Sequence, residues 1–121
     1  MQNQVFLYGS RTDTAAILQQ ATIGILTSVS EGLPLSVLEY GMHQLPVVVT
    51  AVGALPDMIQ HATNGLLVPN NDAAAFADAL TLLIENETLR KEMGVAFYAT
   101  VQEQFGANAI VARYLNWLVT L

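Results

Sequence analysis

The residues best suited to chemistry lie in one short segment, TSVSEGLPLSVLE, at positions 27–39. It contains two carboxylates, Glu31 and Glu39, with seven residues between them. A carboxylate accepts charge-assisted hydrogen bonds from sugar hydroxyls. Gly32 allows a ligand or a neighbouring backbone to approach closely, and Pro34 suits the first turn of a helix. The pattern therefore predicts a loop that runs into a helix and carries two acids.

The start of this helix is also a candidate anion site. If the helix begins near Pro34, Glu31 and Glu39 lie on the same side, and the amides of residues 35–37 are free to face an anion with the helix dipole behind them. Such a loop holds a phosphate without Lys or Arg. A phosphate between two sets of hydroxyls is the shape of a nucleotide sugar.

A purely structural interpretation of the same residues stays open. An acid such as Glu31 is favoured near a helix N-terminus, and Ser36-Val37-Leu38-Glu39 fits a capping box in which the Glu bonds back to the cap amide. Ser28 has no His and Asp arranged to activate it, so a nucleophilic role is unsupported. We interpret His43 as a helix C-terminal residue and His61 as a surface-loop residue.

The elements around this segment follow an alternating pattern, which is typical of βαβ units with a parallel sheet covered on both faces. The fold class predicted is α/β, a Rossmann-like parallel sheet of about four strands flanked by helices. The predicted strands are Val5 to Tyr8, Ile23 to Thr27, Val47 to Thr50 and Leu66 to Val68, and the helices between them are Thr14 to Ala21, Pro34 to His43 and Leu55 to Gln60. Ligands bind beyond the carboxyl ends of such strands, where the segment 27–39 must lie.

The C-terminal part of the chain has the period of helices alone. Asp72 predicts the cap of one helix, and a second apolar stripe runs through Leu89, Met93 and Phe97. Gly106 is a stop signal, and a last helix is predicted from about Ala107. The chain is therefore expected to end in helices, as a single partial domain over residues 1–121.

Composition excludes several classes of function. The 121 residues are 53% hydrophobic and carry a net charge of −6, which disfavours binding to a nucleic-acid backbone. The absence of Cys excludes disulfides and Cys-ligated zinc, and no metal site is expected. With no long apolar run and no basic start followed by an apolar core, we expect neither a membrane span nor export, and a cytoplasmic setting.

The ordered series of motifs resembles the C-terminal half of retaining glycosyltransferases of the GT4 family, which have the GT-B fold. The resemblance covers nearly the whole chain. The residues that carry it are Ser28, Glu31-Gly32-Leu33-Pro34-Leu35, Val37-Leu38-Glu39, Leu45-Pro46-Val47-Val48, Val52-Gly53, Asn64-Gly65-Leu66-Leu67-Val68-Pro69, Asp72, Phe76-Ala77-Asp78-Ala79-Leu80, Leu89-Arg90 and Met93-Gly94.

The resemblance implies a donor site that transfers a sugar from a nucleotide sugar to a hydroxyl acceptor with retention, as in polysaccharide biosynthesis. Glu31 would contact hydroxyls of the donor sugar as the catalytic residue, and Glu39 would hold the ribose. The backbone of Gly32, Leu33, Pro34, Leu35 and Ser36 would receive the diphosphate. Neither a metal nor a cofactor other than the donor is implied, and the leaving phosphate itself helps deprotonate the acceptor.

The departures from the family pattern predict dependence on other polypeptide. The family has two further strand–helix units upstream, which bring a basic pair onto the diphosphate. Here Arg11, Arg90, Lys91 and Arg113 all lie outside the motif. We therefore expect activity only with an acceptor-binding domain or partner chain. Because the missing strands would separate Val5 to Tyr8 from Ile23 to Thr27, the former is expected to pair directly with the latter or to exchange into a homodimer.

Two other interpretations remain. One is a non-catalytic remnant or interaction module with the glycosyltransferase fold, which the missing cations favour. The other is an unrelated doubly wound nucleotide or flavin binder, but the sequence lacks a Gly-rich phosphate loop of the G-x-G-x-x-G or Walker type.

Overall fold

A computed structural model of the chain describes residue 5 and residues 13–28, 32 and 34–106. Its elements are α1 (Thr14–Gln20), β1 (Gly24–Leu26), α2 (Leu35–Met42), β2 (Val47–Thr50), α3 (Leu55–Met58), β3 (Leu66–Val68), α4 (Ala73–Glu85) and α5 (Glu87–Phe105). Apart from Val5, the predicted strand Val5 to Tyr8 lies outside the described residues, as does the predicted helix from Ala107. The pairing or exchange of that strand therefore stays a prediction.

The sheet confirms the predicted α/β class. β1, β2 and β3 are parallel and lie in that order, with Ile25 beside Val48 and Val49 beside Leu67. β2 and β3 have the predicted bounds, whereas β1 is shorter than Ile23 to Thr27. Helices join successive strands, as parallel pairing requires.

Helices cover both faces of the sheet, which explains why the strands are almost wholly apolar. On one face α2, α3 and α5 enclose the cluster Val37, Val47, Val49, Leu55, Met58, Ile59, Phe97 and Val101. On the other face α4 and the start of α5 enclose Val48, Leu66, Val68, Leu83 and Met93. The central strand β2 contributes to both clusters, so its three valines are fully buried.

Side-chain caps fix where the two long helices begin. Asp72 Oδ1 accepts a hydrogen bond from the Ala75 amide at 2.9 Å, which confirms the predicted cap of α4. Asn86 Oδ1 does the same for the Leu89 amide, also at 2.9 Å, and starts α5. Gly106 ends α5, as its stop signal predicts.

The two outer strands of the described sheet each have one outward backbone group bonded to a ring side chain. Gly24 and Val68 make their ladder hydrogen bonds toward β2. The backbone groups of the adjacent residues Ile25 and Leu67 therefore point away from β2. The Tyr40 hydroxyl donates to the Ile25 carbonyl at 3.2 Å, and the Leu67 amide donates to His61 Nδ1 at 3.1 Å. Both edges of the described sheet are thereby partly capped by their own chain.

Candidate functional site

The loop after β1 runs into α2 in the predicted manner. Pro34 is buried and is the residue before the helix, with φ −77° and ψ 113°, so α2 starts at Leu35. Glu39 lies in the second turn of α2 and is exposed. Gly32 is exposed as well. Gly32 and the start of α2 thus follow the carboxyl end of β1 along the chain, and Glu39 lies exposed one turn further into the helix.

The start of α2 has fewer free amides than the sequence predicts. The Val37 amide donates to the Pro34 carbonyl at 3.2 Å, and the Leu38 amide reaches the same oxygen at 3.4 Å. The expectation that the Val37 amide is free is therefore wrong, because Pro34 closes the first turn tightly. For the amides of Leu35 and Ser36, the described part of the chain supplies no acceptor. These two amides are the ones left for an anion.

The capping-box interpretation of Ser36 and Glu39 is wrong. Pro34 occupies the cap position, and no side chain caps the helix. Ser36 is the second helical residue, because α2 begins at Leu35, and the cap residue Pro34 has no N–H from which a Glu could accept a hydrogen bond. The Glu39 carboxylate is thus not occupied in closing its own helix.

Two hydrogen bonds, one from the last residue of β2 and one from the segment that follows it, hold the loop after β1. The Thr50 hydroxyl donates to the Ser28 carbonyl at 2.6 Å. The Ala54 amide donates to the Gly32 carbonyl at 3.1 Å. Sequence reasoning missed Thr50; its only signal is a hydroxyl residue at the end of an otherwise apolar strand. It also assigned Gly32 to the close approach of a ligand or a backbone, but a Cβ on Gly32 would meet nothing within 4 Å, so no such approach is seen in the described part of the chain.

Tyr40 lies beside Glu39 and packs onto β1. A Cβ on Gly24 would meet the Tyr40 ring at 2.5 Å, so the ring occupies the space that glycine leaves open. Burial raises the pKa of the Tyr40 hydroxyl above its usual value, and the negative charge of Glu39 adds to this.

Two predicted site residues, Glu31 and Leu33, lie outside the described residues. So do two of the four cations, Arg11 and Arg113, which were predicted to lie away from the motif. The juxtaposition of Glu31 with Glu39 therefore stays a prediction.

The cations within residues 13–106 are used elsewhere. Arg90 Nη1 donates to the Leu83 and Ile84 carbonyls at 2.7 and 2.8 Å, which closes the end of α4. Lys91 pairs with Glu87 at 3.2 Å on the exposed face of α5. In the part of the chain that the structure describes, the start of α2 receives no side-chain cation.

The two histidines have structural positions. His43 follows the last residue of α2, and its amide bonds to the Glu39 and Tyr40 carbonyls, which confirms the predicted place at a helix end. His61 is exposed in the loop before β3, as predicted. Within the described ranges, no group of three or more His, Cys, Asp and Glu side chains could hold a metal ion.

A cavity of about 460 Å³ opens at the carboxyl ends of the three strands, on the α4 side. Thr27, directly after β1, and Thr50, at the end of β2, line it on one side, and Phe76 and Leu80 line it from α4. Asn70, Asn71 and Asp72 form its polar side. Among the described helices, none is long and apolar enough to cross a membrane.

Comparison with known proteins identifies the family. Residues 1–86 match the model of the family described as "Glycosyl transferases group 1". The chain is 31% identical over 114 residues to N-acetyl-alpha-D-glucosaminyl L-malate synthase of Bacillus anthracis, a match that covers 94% of this chain and 30% of that protein. It is 29% identical over 117 residues to poly(ribitol-phosphate) alpha-N-acetylglucosaminyltransferase of Staphylococcus aureus, covering 96% of this chain and 24% of the relative.

Solved structures agree on the fold. HepE of Anabaena in complex with UDP superposes with a TM-score of 0.93 at 21% identity, over 99% of this chain and 33% of HepE. TarM superposes with a TM-score of 0.86 at 29% identity, over 96% of this chain and 24% of TarM. The GT-B fold predicted from the resemblance is thereby confirmed, and the chain spans a third or less of each of these relatives. The chain belongs to the group 1 glycosyltransferase family.

Proposed function

We propose that this chain is the donor-binding portion of a retaining glycosyltransferase, which transfers a sugar from a nucleotide sugar to a hydroxyl acceptor. The observation that carries the proposal is the start of α2. Two amides without an acceptor among the described residues, those of Leu35 and Ser36, lie one turn before the exposed Glu39 carboxylate. Amides at a helix N-terminus bind anions, and a carboxylate binds the hydroxyls of a sugar.

In this proposal each group has one task. The amides around Gly32 to Ser36 receive the diphosphate, and Glu39 accepts hydrogen bonds from the ribose hydroxyls. Glu31, directly before Gly32 in the sequence, contacts the donor sugar as the catalytic residue. The leaving phosphate takes the acceptor proton on the face from which it departs, so no side-chain nucleophile is required. In this mechanism, catalysis depends on precise placement of donor and acceptor and on stabilisation of the charge on the leaving diphosphate, without a metal.

The site needs positive charge from elsewhere. A diphosphate develops negative charge as it leaves, and this chain carries a net charge of −6. Among residues 13–106, Arg90 closes the end of α4 and Lys91 pairs with Glu87 on α5. We therefore propose that the cations and the acceptor site come from an upstream part or a partner chain, in a cytoplasmic setting. HepE, which has the same fold, has been solved with UDP and with UDP-glucose, and this supports a nucleotide sugar as the donor.

A second candidate is a non-catalytic interaction module with the same fold. The engagement of Arg90 and Lys91 away from α2 favours it. Such a module would fold and bind a partner but would not hold a nucleotide sugar.

Ligand-observed NMR separates the two candidates and is our first prediction. The purified chain would be tested with UDP, GDP, ADP and their sugars, beside Glu39→Ala and the control Glu92→Ala, which removes an exposed carboxylate from α5. We expect saturation transfer to ribose protons in the wild type and in Glu92→Ala, and an affinity about tenfold weaker in Glu39→Ala. Equal binding by all three proteins would refute the assigned role of Glu39. A folded chain that binds none of these nucleotides would favour the interaction module.

A further inference from the structure

We propose that Thr50 is a positioning residue of the donor site, whose hydroxyl holds the loop after β1 so that the start of α2 faces the diphosphate. This inference rests on the proposed function. Thr50 would touch no atom of the donor through this bond; it would act through the backbone of Ser28.

The bond from Thr50 has the marks of a strong, specific contact. Thr50 is the last residue of β2 and only 6% exposed. Its Oγ1 lies 2.6 Å from the Ser28 carbonyl oxygen, at the short end of the range for O–H···O bonds. A buried hydroxyl that lost this acceptor would remain unsatisfied, which is costly. The bond therefore ties the chain after β1 to the end of β2.

A second bond from the same segment holds the same loop further along. The Val52 amide bonds to the Thr50 carbonyl at 2.9 Å, so β2 ends in a tight turn. Gly53 follows with φ 58°, a conformation that favours glycine. This path delivers the Ala54 amide to the Gly32 carbonyl at 3.1 Å.

The two bonds are evenly spaced along both segments. Ser28 and Gly32 are four residues apart, as are Thr50 and Ala54. α2 begins at Leu35, three residues after Gly32, so the position of the Leu35 and Ser36 amides depends on where the loop is held. Donors already fixed in their bound positions avoid the cost of being ordered by the ligand. The segment after β2 thereby orients an anion site built on the segment after β1.

A merely structural role for Thr50 makes a different prediction. It would lower the stability of the fold when the hydroxyl is lost, with no specific effect on nucleotide affinity. Thr100 offers a matched control, because its half-buried hydroxyl accepts from Asn64 at 3.0 Å and donates to the Ala96 carbonyl at 3.2 Å. Those contacts lie on α5 and in the loop before β3 and do not involve the loop after β1.

The test is a titration of the full chain with UDP, followed by protein-observed NMR, for wild type, Thr50→Val, Thr50→Ser and Thr100→Val. We expect UDP affinity about tenfold weaker in Thr50→Val and within about twofold of wild type in Thr50→Ser and Thr100→Val. We also expect hydrogen exchange of the Ala54 amide about tenfold faster in Thr50→Val alone, because the loop it binds is less well held. Circular dichroism would establish that each variant is folded. If the two valine variants do not fold, the same comparison would be made between Thr50→Ala and Thr100→Ala.

Three results would overturn the inference or its basis, and they are distinct. UDP affinity unchanged in Thr50→Val would overturn the positioning role while leaving the donor site intact. Equal losses of UDP affinity in Thr50→Val and Thr100→Val would show that the Thr50 hydroxyl contributes only to the stability of the fold. No UDP binding by the wild type would overturn the donor site proposed above, and with it any role of Thr50 there.

Discussion

At the scale of single residues, the contact between Tyr40 and Gly24 shows what a linear pattern misses. The Tyr40 ring fills the space beside a strand glycine, and its hydroxyl reaches the carbonyl of the next strand residue, Ile25. Nothing in the spacing of these residues along the chain marks them as neighbours, since they meet only after α2 folds back onto β1. Glu39, by contrast, was predictable because its place relative to the start of α2 is a local property of one helix.

Tyr40 makes a pH prediction whose sign follows from its environment. Burial, and then the charge of Glu39, raise the pKa of its hydroxyl above 10.0 in the folded chain. The unfolded chain therefore ionises first as the pH rises, so this group leaves stability unchanged below pH 10 and lowers it above. We expect Tyr40→Phe to lose less stability than wild type between about pH 9 and pH 11.

Urea unfolding at a series of pH values would check this. A comparison at about pH 7, where the phenol is protonated, isolates the loss of the hydroxyl bond to Ile25, which costs about 1 kcal/mol. If the alkaline decline in Tyr40→Phe were as steep as in wild type, the phenol would not be the group responsible.

At the scale of elements, caps and edges determine where each helix and strand ends. α4 begins at a side-chain cap that the sequence predicts, because an acidic residue precedes an apolar helical stripe. α2 begins at a proline without a side-chain cap, and there the sequence supported two interpretations that only the structure separates. The edge contacts of Tyr40 and His61 could not be predicted, because they depend on which strands end up outermost.

The cap of α4 is a prediction that belongs to this scale. Asp72→Ala should destabilise the fold by about 1 kcal/mol, since the Ala75 amide loses its acceptor. Asp72→Asn keeps a side-chain oxygen and should recover most of the loss. Asp78→Ala removes an exposed carboxylate from within the same helix and should have little effect. The denaturation midpoint in urea is the measurement, and equal midpoints for Asp72→Ala and Asp78→Ala would contradict the cap's contribution.

At the scale of the whole molecule, the sequence predicted the layers but not the contacts between them. The alternation of apolar strands and helices determined a parallel sheet with helices on both faces, because only strands covered on both sides are apolar throughout. The coupling of the loop after β1 to the segment after β2 depends instead on Thr50 and Ala54 meeting backbone carbonyls more than twenty positions away. The role proposed for the two acids comes from the family resemblance and not from periodicity.

The last prediction concerns how closely these layers pack. A Cβ on Gly94, in α5, would lie 2.2 Å from the Gln44 carbonyl oxygen in the turn before β2. Gln44 itself has φ 56°, and its amide bonds to the Gly41 carbonyl at 3.0 Å, so this backbone has little freedom to move away. Although alanine is the better helix former by about 1 kcal/mol, Gly94→Ala should lower the free energy of unfolding by about 1–3 kcal/mol.

Gly32 supplies the matched control for this packing, because a Cβ placed there meets nothing within 4 Å. Gly32→Ala should therefore unfold at nearly the wild-type urea concentration, whereas Gly94→Ala should unfold earlier. A Gly94→Ala chain as stable as wild type would show that α5 can move away from the turn before β2. In that event the close approach of α5 to the sheet would not be required for the core beneath it, where Phe97 and Val101 pack beside α2.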